Sequence, residues 1–394
     1  MISRKAKEIT PFIVMDVLEK AAGMEQRGID VVHLEVGEPD FEVPHCVSGA
    51  VQKAFSEGRT HYTHSLGDPE LREEIALKYR NEYGVEISPS QILVTSGSSP
   101  AILLALSVLC EPGDEVIISN PGYACYSNFI RFIDAKAVKV PVFEEDGFQY
   151  RPEEIAQRIT GRTRAIIINS PMNPTGNLLS PGVMEQLAGF NIPILSDEIY
   201  HGLVYNERAH SILEITQNAF VLSGFSKLYA MTGLRLGYVI APPEYVRDMQ
   251  KIQQNLFICA SSTAQRAGIE ALRSAGDDVE RMRNTYSKRR SYLLKRLKQM
   301  GFNIQVEPTG AFYVFVNVKQ YTDDCYRFAF DILEKAHVGV TPGVDFGENG
   351  EGFIRLSYAN SIENIEKGMD RIQQYLIQNF GNAVFSTKLN ESIQ

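Results

Sequence analysis

The sequence contains no tryptophan and only five cysteines among its 394 residues. The cysteines are odd in number, lie far apart and form no CxxC pair, so a disulfide framework is not indicated. They suit buried thiols in a reducing compartment: Cys46, Cys110, Cys125, Cys259 and Cys325. The seven histidines form no HExxH motif, and the sequence predicts no metal site.

Long hydrophobic runs are also missing. The apolar stretch 101–110 is too short to cross a bilayer, so we expect a buried helix there and no membrane partner. Basic residues occur among the first ten positions, but no apolar segment or small-residue cleavage site follows them, which argues against a secretory signal. We therefore expect a cytoplasmic location.

Positive charge is in deficit. There are 39 Lys and Arg against 48 Asp and Glu, and binding to a polyanion depends on clustered positive charge. We therefore expect no nucleic-acid partner. The chain has neither a GxGxxG motif after a strand nor a GxxxxGK(S/T) motif, so the usual nucleotide-binding enzymes are not indicated.

The size and patterning of the chain predict two domains and an α/β fold. Between residues 91 and 242, short apolar runs alternate with helical or loop segments, which is typical of a mostly parallel sheet covered by helices. Seven strands are predicted, at 92–95, 115–119, 137–140, 164–169, 192–196, 220–223 and 236–241.

Beyond residue 284 the pattern predicts a smaller α+β domain. Its expected elements are a basic helix at 288–300, a strand at 310–318, a helix at 323–336, a strand at 353–358 and a helix at 362–379. A helix at 14–27 and a strand at 31–36 are expected to pack with it. The predicted division is an arm with part of the small domain at 1–46, a large domain at 47–284 and the small domain at 285–394, with a frayed polar tail after Gly381.

Ligands of open α/β sheets bind outside the carboxyl ends of the strands, so the residues after each predicted strand are candidate site residues. The strand at 92–95 leads into Ser-Gly-Ser-Ser-Pro at 96–100 and an apolar helix. The free N–H groups and the dipole of such a helix start favour an anion such as phosphate, although a merely capped helix has the same motif. After 164–169, Asn173 precedes a proline that favours an extended backbone and presents its amide.

Two further strand ends carry ionisable side chains. Asp197 and Tyr200 follow the strand at 192–196 in close succession. Lys227 follows the strand at 220–223 after a glycine, which directs it toward the sheet crevice. Because most lysines are exposed, this placement indicates a function.

Two arginines lie near glycines or inside apolar sequence. Arg235 stands in Met-Thr-Gly-Leu-Arg-Leu-Gly at 231–237, where glycines let the backbone pass close to a bound group. Arg355 lies inside an apolar strand, where an unpaired guanidinium is costly. Its partner is either a structural carboxylate or a bound one, which the planar guanidinium holds with two hydrogen bonds.

Together these segments resemble the class I, fold-type I aminotransferases that use pyridoxal phosphate, aspartate aminotransferase among them. The resemblance runs from about Gly37 to the helix after Arg355. The most specific motifs are NPTG at 173–176, SDEIY at 196–200, FSK at 225–227, MTGLRLG at 231–237 and GFIRLS at 352–357. The resemblance implies transfer of the amino group of an α-amino acid to a 2-oxo acid, 2-oxoglutarate being the expected one, in ping-pong order.

The resemblance also implies a role for each matched residue. Lys227 would carry the cofactor as a Schiff base and then move the proton of the substrate Cα. Asp197 would pair with the pyridine nitrogen, while Asn173 and Tyr200 would hydrogen-bond the phenolic oxygen of the ring. Tyr123 would stack on the ring face.

The family match further implies phosphate and substrate contacts. The residues that would hold the phosphate are Gly97, Ser98, Ser99, Ser223 and Arg235. Tyr62 would reach the same phosphate from a second subunit, which implies a homodimer. Arg355 would bind the substrate α-carboxylate, with Asn173 and the backbone at Gly37 closing on it.

The chain departs from the family pattern at three places. Many members have a serine at the position of Gly224, whereas this chain has Ser223 one place earlier. Tyr123 stands where many members stack a tryptophan. Ser99 stands where some bacterial aspartate enzymes have a lysine for the distal carboxylate, so a dicarboxylate substrate is in doubt.

Two alternatives use the same fold. A β-lyase ranks second, because the bond that breaks depends on its orientation to the cofactor ring and on the nearby base. A non-catalytic effector domain ranks third, since only a short arm precedes Gly37 and leaves no room for a basic helix-turn-helix segment. Aspartate, alanine and aromatic amino acids all remain open as donors.

Overall fold

The structure is a computed structural model, and it describes residues 2–381. The strands are β1 (Val32–His33), β2 (Ile92–Thr95), β3 (Glu115–Asn120), β4 (Lys136–Pro141), β5 (Thr163–Asn169), β6 (Ile194–Asp197), β7 (Ala219–Gly224), β8 (Gly237–Ile240), β9 (Tyr313–Asn317), β10 (Val338–Gly339), β11 (Thr341–Pro342) and β12 (Phe353–Ser357). The tail predicted after Gly381 lies outside the described residues.

Helices cover the sheets and fill the connections between strands. They are α1 (Arg4–Glu8), α2 (Ile13–Glu25), α3 (His45–Ser56), α4 (Pro69–Tyr83), α5 (Ser98–Leu109), α6 (Tyr126–Phe132), α7 (Pro152–Ala156), α8 (Pro181–Ala188), α9 (Pro243–Leu256), α10 (Ser262–Ser274), α11 (Gly276–Gln299), α12 (Cys325–Ala336) and α13 (Ile362–Phe380). Within the described residues, no helix is long and apolar enough to cross a membrane.

The main sheet has seven strands in the order β2-β8-β7-β6-β5-β3-β4. Only β8 runs against the others, pairing antiparallel with both β2 and β7. The predicted α/β fold with a mostly parallel seven-stranded sheet is confirmed. Each of the seven predicted strands corresponds to one strand of this sheet, and the predicted and observed strand ends differ by at most two residues.

The apolar character of the central strands follows from burial on both faces. In β5, Ile166 and Ile168 pack into one apolar cluster, whereas Ala165 and Ile167 pack into another. Successive side chains of a strand point to opposite faces, so helices on both sides require apolar residues at every position. Helices α5 and α9 contribute to one cluster, and α4 and α10 to the other.

A second, antiparallel sheet has the order β11-β12-β9, and β1 pairs in parallel with β10. The strand predicted at 31–36 is confined to Val32 and His33. The reason is that the carbonyl of Glu35 accepts hydrogen bonds from the side chains of Arg355 and Thr341, not from a strand. The basic helix predicted at 288–300 is part of the longer α11, which is continuous through residues 284 and 285.

Candidate active site

Strands β2, β5, β6 and β7 run in one direction, so their carboxyl ends meet at one edge of the main sheet. The segments that follow them come together there, as the strand-end rule predicts. Arg355 arrives from β12 of the second sheet, and its Nη1 donates to Oδ1 of Asn173 at 2.9 Å. The site therefore lies where the two sheets face each other.

A positively charged corner forms where helix α5 begins. Gly97 precedes the helix with a φ of 99°, in the left-handed region that favours glycine. A Cβ at Gly97 would overlap the guanidinium of Arg235, and one at Gly237 would overlap the backbone of Gly97 and Ser98. The two glycines thus let Arg235 approach the free N–H groups of Ser98 and Ser99, an arrangement that suits a phosphate.

Lys227 follows β7 and points into the crevice. Its Nζ donates to the carbonyl oxygen of Gly37 at 2.7 Å. Burial lowers the pKa of Lys227 to about 8, and the nearby Glu38 carboxylate limits that fall. A lysine with so low a pKa has an appreciable neutral fraction near pH 7, which is the form able to attack a carbonyl.

Asp197 ends strand β6 as a buried carboxylate. The hydroxyl of Tyr126 donates to its Oδ2 at 2.6 Å, and the N–H of Ile199 donates to its Oδ1 at 3.2 Å. Burial raises the pKa of Asp197 to about 6 although both hydrogen bonds oppose the rise. A buried carboxylate held by neutral donors would be stabilised by a cationic partner, and a protonated pyridine ring could provide one.

Arg355 is 2% exposed and holds its neighbours through several contacts. Besides Asn173, its Nη2 donates to the carbonyl oxygen of Glu35 at 2.6 Å and to Thr341 Oγ1 at 3.3 Å. Its guanidinium lies 4.2 Å from the ring centre of Tyr313. None of these partners is a carboxylate and its Nε has no partner in the described chain, so the charge is free to pair with an anion.

Tyr200 and Tyr313 contact each other beside Arg355. Their hydroxyls lie 2.9 Å apart, and both side chains are buried. The Tyr313 hydroxyl also contacts Gly37, where an added Cβ would overlap it. Position 37 must therefore be glycine for the loop to lie against Tyr313 while its carbonyl accepts from Lys227.

Three further predicted site residues lie outside the contacts described so far. Tyr123 packs edge-on against Tyr126, with ring centres 5.2 Å apart, so it stands beside the Asp197 pair. The Ser223 hydroxyl donates to the carbonyl of Glu198 at 3.4 Å, and its phosphate role stays a prediction. Tyr62 is 80% exposed in the single chain.

Three residues at the site were not predicted. Tyr126 supports Asp197, Tyr313 supports Arg355 and Tyr200, and Asn169 joins the two sides. The Asn169 amide donates to the Asp197 carbonyl at 2.9 Å, and its oxygen accepts from the Asn173 N–H at 2.8 Å. A polar residue closing an apolar strand was a usable signal for Asn169, whereas nothing distinguished these two tyrosines from the rest.

Comparison with known proteins agrees with this geometry. The sequence model of the family described as aminotransferase class I and II matches residues 29–372. The chain belongs to this family. It is a transaminase that transfers amino groups with pyridoxal 5′-phosphate, which favours the aminotransferase prediction over the lyase and effector-domain alternatives.

Individual relatives cover almost the whole chain. A (5-formylfuran-3-yl)methyl phosphate transaminase of Methanocaldococcus jannaschii is 42% identical over 95% of this chain and 100% of that enzyme. An aspartate aminotransferase of Pyrococcus horikoshii is 40% identical over 92% of this chain and 94% of its own length. The structure of Thermus thermophilus aspartate aminotransferase with maleate superposes with a TM-score of 0.91 at 36% identity, covering 95% and 99% of the two chains.

Proposed function

We propose that the edge of the main sheet holds pyridoxal phosphate with its phosphate at the start of α5. The observation that supports this is the close approach of Arg235 to Gly97, which only glycine permits. Ser98 and Ser99 would add N–H and hydroxyl donors there. Ser223, whose hydroxyl donates to the Glu198 carbonyl in the single chain, would add a further hydroxyl donor to this set. The exposed Tyr62 would reach the phosphate of a second subunit, so we propose a homodimer.

When bound, pyridoxal phosphate supplies an aldehyde that reacts with amines and a protonated ring that accepts the electron pair of the substrate Cα. Asp197 would pair its negative charge with the ring nitrogen and keep that nitrogen protonated. Asn173 and Tyr200 would orient the ring by hydrogen bonds to its phenolic oxygen. Tyr123 covers one face of the ring, with Tyr126 fixing its position.

Lys227 has two tasks in this proposal. Its neutral amine would hold the cofactor through the aldehyde, and once the substrate amine has displaced it, the same amine would serve as the base for the Cα proton. The low pKa of Lys227 that burial causes supports both tasks, because each requires an unprotonated amine. The Gly37 carbonyl holds the Nζ in place.

Arg355 is the residue that supports a substrate with an α-carboxylate. Its guanidinium is buried, donates to no carboxylate among the described residues and lies beside Asn173, so a substrate α-carboxylate would give it a charged hydrogen-bond partner. Binding the carboxylate there, with Gly37 closing over it, fixes which Cα bond stands perpendicular to the ring. We propose an amino acid of the aspartate, alanine or aromatic type as donor and 2-oxoglutarate as acceptor. The names of the relatives support the aspartate and aromatic types.

A donor panel tests the proposed function. Single-turnover mixing of the enzyme with aspartate, alanine and phenylalanine is expected to convert bound pyridoxal phosphate to the pyridoxamine form without release of ammonia. 2-Oxoglutarate should then restore the starting absorbance, as ping-pong order requires. Stoichiometric ammonia with no pyridoxamine form from every donor would contradict the proposal and favour elimination.

The pKa of Lys227 predicts a pH dependence for cofactor attachment. Burial lowers this pKa to about 8, so most of the amine is protonated and unreactive at pH 6 to 7. The rate of attachment to cofactor-free protein should rise about tenfold per pH unit below that pKa and level off above it. Stopped-flow absorbance measures this rate. A rate that kept rising to about pH 10.4, the value for an ordinary lysine, would contradict the assigned burial.

A further inference from the structure

Glu35, whose backbone contacts Arg355, carries a buried carboxylate that the proposed reaction does not use. Glu35 is 0% exposed, and its carbonyl oxygen accepts from Arg355 Nη2 at 2.6 Å and from Thr341 Oγ1 at 3.1 Å. The backbone of Glu35 therefore fixes one arm of the guanidinium. Whatever holds Glu35 also determines where Arg355 points.

The Glu35 carboxylate has one polar partner among residues 2–381. His33 Nδ1 lies 2.6 Å from its Oε1, while its buried Oε2 has no partner. Gly339 packs so closely that a Cβ there would overlap the carboxylate. A buried charge with one partner depends strongly on that partner, because removing it leaves the charge uncompensated.

His33 is well placed to supply a positive charge. Its Nε2 lies 3.2 Å from Glu25 Oε1, and its carbonyl oxygen accepts from the Asn360 amide at 2.9 Å. The hydrogen bond to Glu35 raises the pKa of His33 to about 9, so the ring is protonated at neutral pH. The pair is thus an ion pair in which the histidine side chain is only 26% exposed.

The backbone transmits the position of this pair to the site. Leu34, between the two residues, donates to the Gly339 carbonyl at 3.0 Å and accepts from the Ser357 N–H at 2.7 Å. Two residues after Glu35, the Gly37 carbonyl accepts from Lys227. A shift of Glu35 would therefore change the position of Arg355 first and that of Lys227 next.

We propose that His33 is a positioning residue that acts through Glu35 to aim Arg355 at the substrate α-carboxylate. This inference rests on the proposed function, in which Arg355 binds that carboxylate. It predicts that loss of His33 affects carboxylate-bearing substrates selectively. Amines without a carboxylate make no contact with Arg355 and should be insensitive.

The test compares L-alanine with ethylamine, its analogue without the carboxylate, in single-turnover reactions of the pyridoxal phosphate enzyme. His33→Leu is expected to lower the second-order rate constant for L-alanine about tenfold and that for ethylamine by less than about twofold. His33→Asn keeps a donor toward Glu35 and should recover most of the loss. Glu25→Gln removes the other partner of His33 and serves as the matched control, with both rate constants near those of the parent enzyme.

Arg355→Leu distinguishes the two levels of the proposal. If it causes no selective loss for L-alanine, the role of Arg355 in the proposed function is refuted. If it does, but His33→Leu lowers both rate constants equally or neither of them, the positioning role is overturned and the proposed function stands. Glu35→Met keeps roughly the side-chain volume but removes the acceptor of His33, and it replaces His33→Leu should that variant fail to fold, with the same selective loss expected.

Discussion

Replacing Lys227 with alanine is expected to lower turnover with every amino acid by at least about 10⁴-fold, since one side chain supplies both the attachment and the base. The variant should still bind pyridoxal phosphate, because the corner at Gly97 and Arg235 is intact. The cofactor would then be held without a covalent bond and show the absorbance of the free aldehyde.

Steady-state turnover and the absorbance spectrum measure this result. Lys251→Ala is the matched control, because that lysine is exposed and pairs with Asp248 on the same helix. Its turnover should equal that of the parent enzyme. Turnover in Lys227→Ala within about tenfold of the parent would contradict the assigned roles, since a positioned base alone contributes more than that.

Replacing Asp197 with asparagine is expected to lower the rate of Cα proton removal by at least about 10²-fold. Asparagine keeps the shape and can still accept from the Tyr126 hydroxyl, which donates to Oδ2 at 2.6 Å. It has no charge, so a protonated ring nitrogen loses its partner in a buried site. The affinity for pyridoxal phosphate should fall as well.

Glu198 provides a control for Asp197 from the next residue along the chain. It is also a buried acid, and burial raises its pKa to about 7. Its carboxylate accepts from Ser211 Oγ at 3.0 Å and from the Ile212 N–H at 3.0 Å, away from the proposed cofactor. Glu198→Gln should lower thermal stability. The rate of Cα proton removal, followed in single-turnover reactions with protiated and Cα-deuterated substrate, should change little. Equal losses in the two variants would contradict the assignment of Asp197.

The sequence predicted the main sheet closely because its central strands are short apolar runs buried on both faces. Ile166 and Ala165, for example, pack into different apolar clusters on the two faces of β5. A strand buried on both faces appears in the sequence as an unbroken apolar run, which can be recognised directly. Ligands of such sheets bind at strand ends, and this rule predicted that Asn173, Asp197 and Lys227 lie at one site. Lys227 is 54 positions after Asn173 in the sequence.

Residues that reach the site from elsewhere could not be predicted in this way. Tyr313 begins a strand of the second sheet, and nothing in its neighbourhood separates it from the other tyrosines among the 18 of the chain. Glu35 was predicted as part of a longer strand, but its carbonyl oxygen accepts a hydrogen bond from Arg355 instead. Such contacts depend on how the two sheets face each other, which no local pattern encodes.

The central claim is that pyridoxal phosphate is attached to Lys227, and one labelling measurement tests it most directly. The purified enzyme is saturated with pyridoxal phosphate, reduced with borohydride, digested and analysed by peptide mass spectrometry. The account predicts a pyridoxyl group on the Lys227 side chain. Pyridoxyl label on another lysine, with Lys227 unmodified, would contradict it.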